Sequence, residues 1–459
     1  MLNCEFYCNP LYPFFLELTE KYRQSRCCVG TMKDYVDINP KTDCSILTDE
    51  TKVSFVPMPN VQEKNNLVSY DLVPYANVKK GFTVFSKGDL IWAKITPCMQ
   101  NGKSCITDDM PTEIGFGSTE FHVIRKKKND EVYMPFIWAI FSNEDVLRAA
   151  QATFSGSAGQ QRVPASFLER FPAVIPDFET QVEMVNNLER RLALKNKEIK
   201  HSDELLATQS QYLLDKLSLD FSETTQSLAY GITTKQLSGR IDADFYSPCF
   251  LHFREQIEKS KHKAVSIGEL CEKITSGFAA GKQDQADDLN DDERVSQLRP
   301  FSITPYGQIS FATKKYVPIS RLQEKDYCKK GEVLFNNTNS AEWVGKSAVF
   351  DIDTPCATSN HITRITLKEG LNPYYIAAFF NMLRSIGYWK LLSTYFNNQA
   401  GVNTETLKTV RILLPEKSIQ DEIAEEILRR KNTAEALRIE AEQDWEAAKA
   451  EFERKLLGK

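Results

Sequence analysis

The sequence predicts an α+β protein: two mixed α/β domains separated by two long helices that form an antiparallel coiled coil, produced by an internal duplication. Three observations predict it. A seven-residue apolar repeat runs through the middle of the chain, a second apolar stripe occupies its last part, and a series of short matches recurs at a nearly constant offset.

The duplication sets the frame. Glu5-Phe6-Tyr7 is matched by Asp244-Phe245-Tyr246, an offset of 239 (245 − 6), and Val29-Gly30 by Ile267-Gly268. Gly88-Asp89-Leu90-Ile91 answers to Gly331-Glu332-Val333-Leu334, and Gly102-Lys103-Ser104 to Gly345-Lys346-Ser347. Phe167-Leu168 pairs with Thr406-Leu407, Pro176 with Pro415, and Gln181 with Gln420. The offset drifts only between 238 and 243, which small loop insertions explain.

The first domain spans 1–176 and the second 240–415. Both are rich in strand signals, with β-branched and aromatic residues bounded by Gly and Pro over Phe82 to Ile95 and Gly331 to Phe335. Helical pieces follow at Pro135 to Gln151 and Pro373 to Leu392. The first long helix spans 177–217. Val185, Leu192, Ile199, Leu206 and Leu213 fall seven apart, and Gln181 to Leu217 holds no Gly and no Pro, which favours a coiled-coil seam. At roughly 1.5 Å per residue it makes a rod of about 60 Å. Lys195, Ser202 and Gln209 are poor seam residues, so the helix demands a particular partner. The second long helix spans 416–459, with Ile423, Ile427, Ala434, Leu437, Ala441, Trp445, Ala448 and Phe452 in a three-four spaced stripe. Residues 218–239, rich in Ser, Thr, Gln and Gly, form a linker. The acidic stretch Asp284 to Glu293 has no counterpart in the first copy and reads as a solvated loop. The linker is short, so two seams of similar length pair antiparallel more readily than parallel.

Composition narrows the function. A chain of 459 residues exceeds one core. No apolar run reaches 18 residues, and no basic segment followed by an apolar stretch opens the chain, so a cytoplasmic protein is expected. The 11 cysteines are scattered without a CxxC pair, which favours reduced thiols over a disulfide framework or zinc site. A net charge of −5 argues against gripping nucleic acid by bulk positive charge, although local patches remain possible.

Three catalytic motifs fail. Gly102-Lys103-Ser104 and Gly345-Lys346-Ser347 end like phosphate-binding loops, but the required earlier glycines are Pro97 and Ser340; both triplets read as turns. Asn9-Pro10-Leu11-Tyr12 resembles a base-holding methyltransferase motif, yet only nine residues precede Pro10. Pro176-Asp177-Phe178-Glu179 resembles a nuclease carboxylate motif, but Gln181 stands where metal chemistry wants a Lys. The proline and acidic first turn instead suit a helix start. No catalytic residue, cofactor or metal site is expected in this chain.

What remains is polar richness at the ends of strands. The first copy offers Lys94, Gln100, Asn101, Lys103 and Lys126, then Gln160, Gln161 and Arg162. The second offers Asn336, Asn337, Asn339, Lys346, Asn398 and Gln399. Asn and Gln can pair with adenine, and Arg and Lys with guanine. Trp445 and Phe452 on the second helix are candidates for docking a partner.

The sequence is similar to the specificity subunits of type I restriction-modification systems. The residues carrying the resemblance are Gly88-Asp89-Leu90-Ile91, Ile95-Thr96-Pro97, Asn101-Gly102-Lys103 and Gly115 to Phe121. Gly156-Ser157-Ala158-Gly159-Gln160-Gln161-Arg162-Val163-Pro164 and Arg240 to Pro248 also carry it. The resemblance implies two target-recognition domains, each reading half of a split double-stranded DNA site, with the helices as a ruler. It further implies docked methyltransferase (modification) subunits and restriction motor-nuclease subunits, which would use S-adenosylmethionine and ATP with Mg. Asn397 to Val402 follows the first copy's pattern only loosely. The competing expectations are a related system with a fused nuclease-methyltransferase partner, and a two-headed helical scaffold without a DNA role.

Overall fold

The computed structural model describes residues 9–127, 132–156, 160–221, 229–237, 243–281, 284, 286–287, 289–396 and 399–458. The matches at Glu5-Phe6-Tyr7, much of the linker, and Asn398 lie outside them. The chain forms two units: residues 1–196 with 441–459, and residues 197–440.

In the first unit, the continuous apolar run Leu90–Ala93 is wholly buried, as expected of a strand covered on both faces. It lies in a four-stranded sheet ordered Val36–Ile38, Phe121–Lys126, Leu90–Ala93, Ser104–Ile106. Alternation divides its side chains. Leu90 and Trp92 join the core of helices Met134–Phe141 and Glu144–Gln151, while Ile91 and Ala93 face Phe85 and Phe121. Trp92 Nε1 donates to the carbonyl of Phe141 at 3.1 Å. A second sheet, ordered Asp71–Pro74, Lys52–Val56, Ile114–Gly117, Thr83–Ser86, contains one parallel pairing, Lys52–Val56 with Ile114–Gly117.

The second unit has the same plan. Its four-stranded sheet runs Cys271–Ser276, Ile362–Leu367, Val333–Asn336, Ser347–Val349, and Val333 opposes Ile365 as Leu90 opposes Ile124. Val333 and Phe335 face the helix Pro373–Ser385, and Leu334 faces Ala348 and Phe350. The parallel pairing recurs between Arg294–Leu298 and Cys356–Thr358. Gly102 (φ +69°) and Gly345 (φ +90°) make equivalent turns, and a Cβ on Gly345 would stand 2.0 Å from Trp389. The two Gly-Lys-Ser triplets are turns of a repeated fold.

The repeated glutamines do equivalent work. Gln181 is fully buried, accepts from Tyr133 N at 2.9 Å and donates to the carbonyl of Pro176. Gln420 accepts from Asn372 N at 3.1 Å and donates to Pro415. Each ties the start of a long helix to the segment preceding a helix of its own unit. Asp177 caps the first helix, accepting from Thr180 N at 2.9 Å.

The long helices run Phe178–Ala207 and Lys417–Leu456 and pair antiparallel within each unit. In the first unit Glu183, Asn187, Arg191 and Lys195 meet Lys455, Glu451, Asp444 and Glu442. In the second, Ser202, Thr208 and Lys216 meet Arg438, Arg430 and Glu422. The polar seam residues are thereby matched: Lys195 Nζ lies 2.6 Å from Glu442, and Ser202 Oγ accepts from Arg438 at 2.8 Å. Exposed ion pairs contribute at most about 1 kcal/mol each, so they set register more than stability. Ala434, Ala441 and Ala448 on the second helix are buried.

Four expectations change. The first helix is interrupted at Thr208, followed by Gln209–Leu217. There the Thr208 hydroxyl bonds back to Leu205 O, and Arg430 takes the Thr208 carbonyl, two features that bend helices. Asp284 is not solvated: it is buried and paired with Arg321 at 2.7 Å. Phe452 is a core residue rather than a docking residue, with its ring 5.8 Å from that of Phe136. Lys431 interrupts the apolar stripe of the second helix, buried, with Nζ on the carbonyl of Gly307 at 3.0 Å.

Phe452→Ala is expected to lower the first unit's stability by about 3–5 kcal/mol through lost burial and a cavity. Ile439→Ala, at a half-exposed position, should change stability little. Equal denaturation midpoints for the two variants would contradict this assignment.

Candidate nucleic-acid interface

In each unit the buried central strand delivers its next residue to the same backbone clasp. Lys94 N donates to the carbonyl of Glu120 at 2.9 Å, and Lys94 O accepts from Val163 N at 2.9 Å. Asn337 N donates to His361 O at 3.0 Å, and its carbonyl accepts from Val402 N at 2.9 Å. Beyond the clasp a short hairpin crosses the strand's extension. In the first unit Arg162 bridges both Ser155 and Ile95. In the second, Gln399–Gly401 lies between Thr394–Phe396 and Thr338–Asn339. The backbone plan is held constant while the side chains on it differ.

The first unit's hairpin is charged. Glu120 accepts from Arg162 Nε and Nη2, both at 2.8 Å. That pairing holds the Glu120 carboxyl below its ordinary range. Lys94 is half-buried beside them, and burial lowers its pKa. Behind the hairpin His122 is buried and stacked on Trp92, with Nε2 at 2.9 Å from the carbonyl of Val163. Its Nδ1 lies 3.0 Å from Asn39 Nδ2. Desolvation lowers its pKa to about 4, so the neutral ring anchors the hairpin. Gln160 is exposed and Gln161 half-buried.

The second unit's hairpin is neutral. Asn337 Nδ2 donates to Asn360 O at 3.1 Å and Thr363 Oγ1 at 2.9 Å. A cleft of about 440 Å³ opens beside it, lined by Ser276, Asn337, Thr338, Thr363 and Phe396 among others, and the described residues of its lining are all uncharged. Tyr395 and Phe396 are 57% and 47% exposed, and Gln399 is exposed.

The remaining expected residues scatter. Gln100 and Asn101 are exposed on the turn before Gly102, held by Gln151 (3.3 Å) and Glu63 (2.9 Å). Lys103 Nζ reaches the carbonyl of Met58 at 3.3 Å. Lys126 is on the clasp strand but four residues beyond His122, about 13 Å along it at roughly 3.3 Å per residue; its Nζ lies 6.0 Å from the Phe178 ring centroid. Two residues leave the candidate set because the fold consumes them. Asn336 is fully buried and donates to Trp343 O, and Lys346 is buried with Nζ on the carbonyls of Pro300 and Ile303 at 2.7 and 2.6 Å. Asn339 stays half-buried on the hairpin. Trp445 is half-buried near Lys195, whose Nζ lies 5.8 Å from its ring. Sequence reasoning missed Glu120, His122, Thr363, Tyr395 and Phe396. Glu120 and His122 sit at the end of the Gly115 to Phe121 run, where a charged residue beside apolar strand positions is the available signal.

The model of the family described as "Type I restriction modification DNA specificity domain" matches twice, over residues 29–207 and 259–440. The chain belongs to this family. The specificity domain thus occurs once in each copy of the duplication. Over 165 residues the chain is 34% identical to the "Type I restriction enzyme EcoAI specificity subunit" of Escherichia coli, covering 36% of this chain and 28% of that one. It is also 34% identical over 165 residues to the "Type I restriction enzyme EcoEI specificity subunit" of Escherichia coli, covering 36% and 27%. The aligned stretch thus spans little more than a quarter of these relatives. A solved chain described as "Structural basis underlying complex assembly and conformational transition of the type I R-M system" matches with a TM-score of 0.53 at 15% identity. That match covers 89% of this specificity-domain chain and 90% of the other, and the likeness is one of fold. Among the described residues no helix is long and apolar enough to cross a membrane, and no His, Cys, Asp and Glu group is arranged to hold a metal.

His122 gives the interface a pH dependence. Unfolded, it titrates near its ordinary 6.5, and folded near about 4. Between those values the unfolded state binds more protons, so stability falls as pH drops through that window. His122→Gln is expected to flatten the change in urea midpoint between pH 7 and pH 5. A parent-like slope in that variant would assign the dependence elsewhere.

Proposed function

We propose that this protein is the DNA sequence-recognition subunit of a type I restriction-modification complex. Each unit reads one half of a bipartite double-stranded site through the hairpin clasped to its central strand. The observation that carries the reading is the double occurrence of the specificity domain on two units that share a central four-stranded sheet and a parallel strand pair, and whose hairpins present different chemistry. A reader of two unlike half-sites needs that combination of constant scaffold and variable contacts.

The chain acts without catalysis of its own. Methyltransferase subunits, docked on the long helices, use S-adenosylmethionine, and restriction motor-nuclease subunits use ATP with Mg; the assembly works in the cytoplasm. Trp445 and the polar residues around it form part of the docking face. With a net charge of −5, this chain contributes modest phosphate attraction, and the enclosing partners supply the remainder. The helices set the unread spacer, which suits their freedom from Gly and Pro through Phe178–Ala207 and Lys417–Leu456.

Base-resolved methylation mapping in cells with and without the gene tests the assignment. A split motif should vanish with the gene; an unchanged pattern beside an intact methyltransferase gene would refute it. Exchanging residues 1–176 for those of another such subunit is expected to change one half-site only. Four residues inserted into each long helix, at facing positions, add about 6 Å and should lengthen the spacer by about two base pairs while both half-sites persist.

A further inference from the structure

The unspent donors of Arg162 point to the base that the first unit reads, an inference that rests on the DNA-reading role proposed above. A guanidinium carries five N–H donors in a planar fork. Nε and one Nη2 hydrogen are held by Glu120, and one Nη1 hydrogen is held by the carbonyl of Gln160 at 3.0 Å. One donor therefore remains on each terminal nitrogen, on a side chain that is 39% exposed. Two free donors, one on each terminal nitrogen, are the number that the O6 and N7 acceptors of guanine in the major groove take from an arginine.

The neighbouring carboxylate favours a base edge over a phosphate. Glu120 accepts at 2.8 Å through both oxygens, so an approaching phosphate meets a fixed negative charge beside the guanidinium. A guanine edge carries only partial negative charge at O6 and N7, so the carboxylate repels it less than it repels a phosphate. The carboxylate also fixes the plane of a long side chain that would otherwise lose rotamer freedom on binding. Among the described residues of the second unit no such pair stands at this place: Gly401 takes Arg162's position in the hairpin pairing, and the described residues lining the adjoining cleft are uncharged.

We propose that Glu120 is a positioning residue that presents the outer edge of Arg162 to O6 and N7 of a guanine in the half-site read by the first unit. Arg162 chiefly keeps the carboxylate ionised, and Lys94 beside the pair adds to that attraction.

The test starts from the motif found by methylation mapping in cells carrying the gene. The full-length chain, assembled with its methyltransferase subunit, is then titrated with duplexes in which each motif position is replaced in turn. Arg162→Gln is expected to lose roughly 10- to 100-fold discrimination at one guanine of one half-site. Glu120→Gln should lose much of the discrimination at that same guanine and leave the other half-site unchanged. Arg162→Lys keeps the charge but cannot be gripped through two nitrogens, and should likewise lose discrimination there. Uniform weakening over all duplexes, with the salt slope reduced by about one, would make Arg162 a phosphate contact and overturn the proposal. Parent-like discrimination in Glu120→Gln or Arg162→Lys would also overturn it. Melting curves identify any variant that has lost its fold, and Arg162→Lys, which retains the hairpin's backbone pairing and its charge, then carries the decision. Absence of any gene-dependent motif would instead refute the proposed function, so the two failures are distinguishable.

Discussion

The interface depends on a backbone arrangement that no side chain can easily disturb. A strand buried on both faces ends just before Lys94 in one unit and just before Asn337 in the other. In each, the residue after the strand donates to one neighbouring segment and accepts from another. Unpaired buried backbone groups are costly, so these two bonds fix the hairpin wherever its side chains go. Ile91, Trp92, Leu334 and Phe335 hold the strand from both faces. Substitution on the hairpin then alters what is presented without altering where it is presented. This is the physical separation between stability and specificity that a two-target reader requires.

The helical seam applies the same economy differently. A wholly apolar seam tolerates register slips, whereas a buried or half-buried polar group accepts few partners. Lys195 with Glu442, and Ser202 with Arg438, each lock one register of the antiparallel pairing within their own unit. Lys431 departs most from an apolar seam. Burial lowers its pKa to about 8, and its hydrogen bond to Gly307 ties the second helix to a loop of its unit. That contact exchanges some hydrophobic stabilisation for a unique docking position.

Much of this was legible in the sequence where the signal was periodic or repeated. The helix positions followed from the spacing of Val185 to Leu213 and from the Ile423 to Phe452 stripe, and the common topology followed from matches such as Gln181 with Gln420. The interruption at Thr208 was not legible, because Thr is an ordinary helix residue until Arg430 is placed beside it. Nor was the burial of Lys346, which differs from Lys103 through its contacts with Pro300 and Ile303, more than 40 positions away. Charged residues identify candidate contacts by type, but their commitment to internal partners depends on segments distant in the chain. Phe452 shows the converse. An aromatic on a helical stripe has the same signature whether a partner or its own unit covers it, and here Phe136 does.

Under the proposed function, the low net charge becomes part of the recognition chemistry rather than an obstacle to it. Nonspecific affinity grows with each phosphate neutralised and is shared by every sequence. A reader that placed its affinity there would gain little discrimination. In the first unit the guanidinium of Arg162 is offset by Glu120, and in the second the adjoining cleft presents amides, hydroxyls and Phe396. Both arrangements reduce the sequence-independent attraction at the point of reading and leave directional hydrogen bonds and apolar contacts to discriminate. Under the proposed function, affinity lost in this way must come from elsewhere in the assembly, and recognition by this chain would then depend on the partners that surround the DNA.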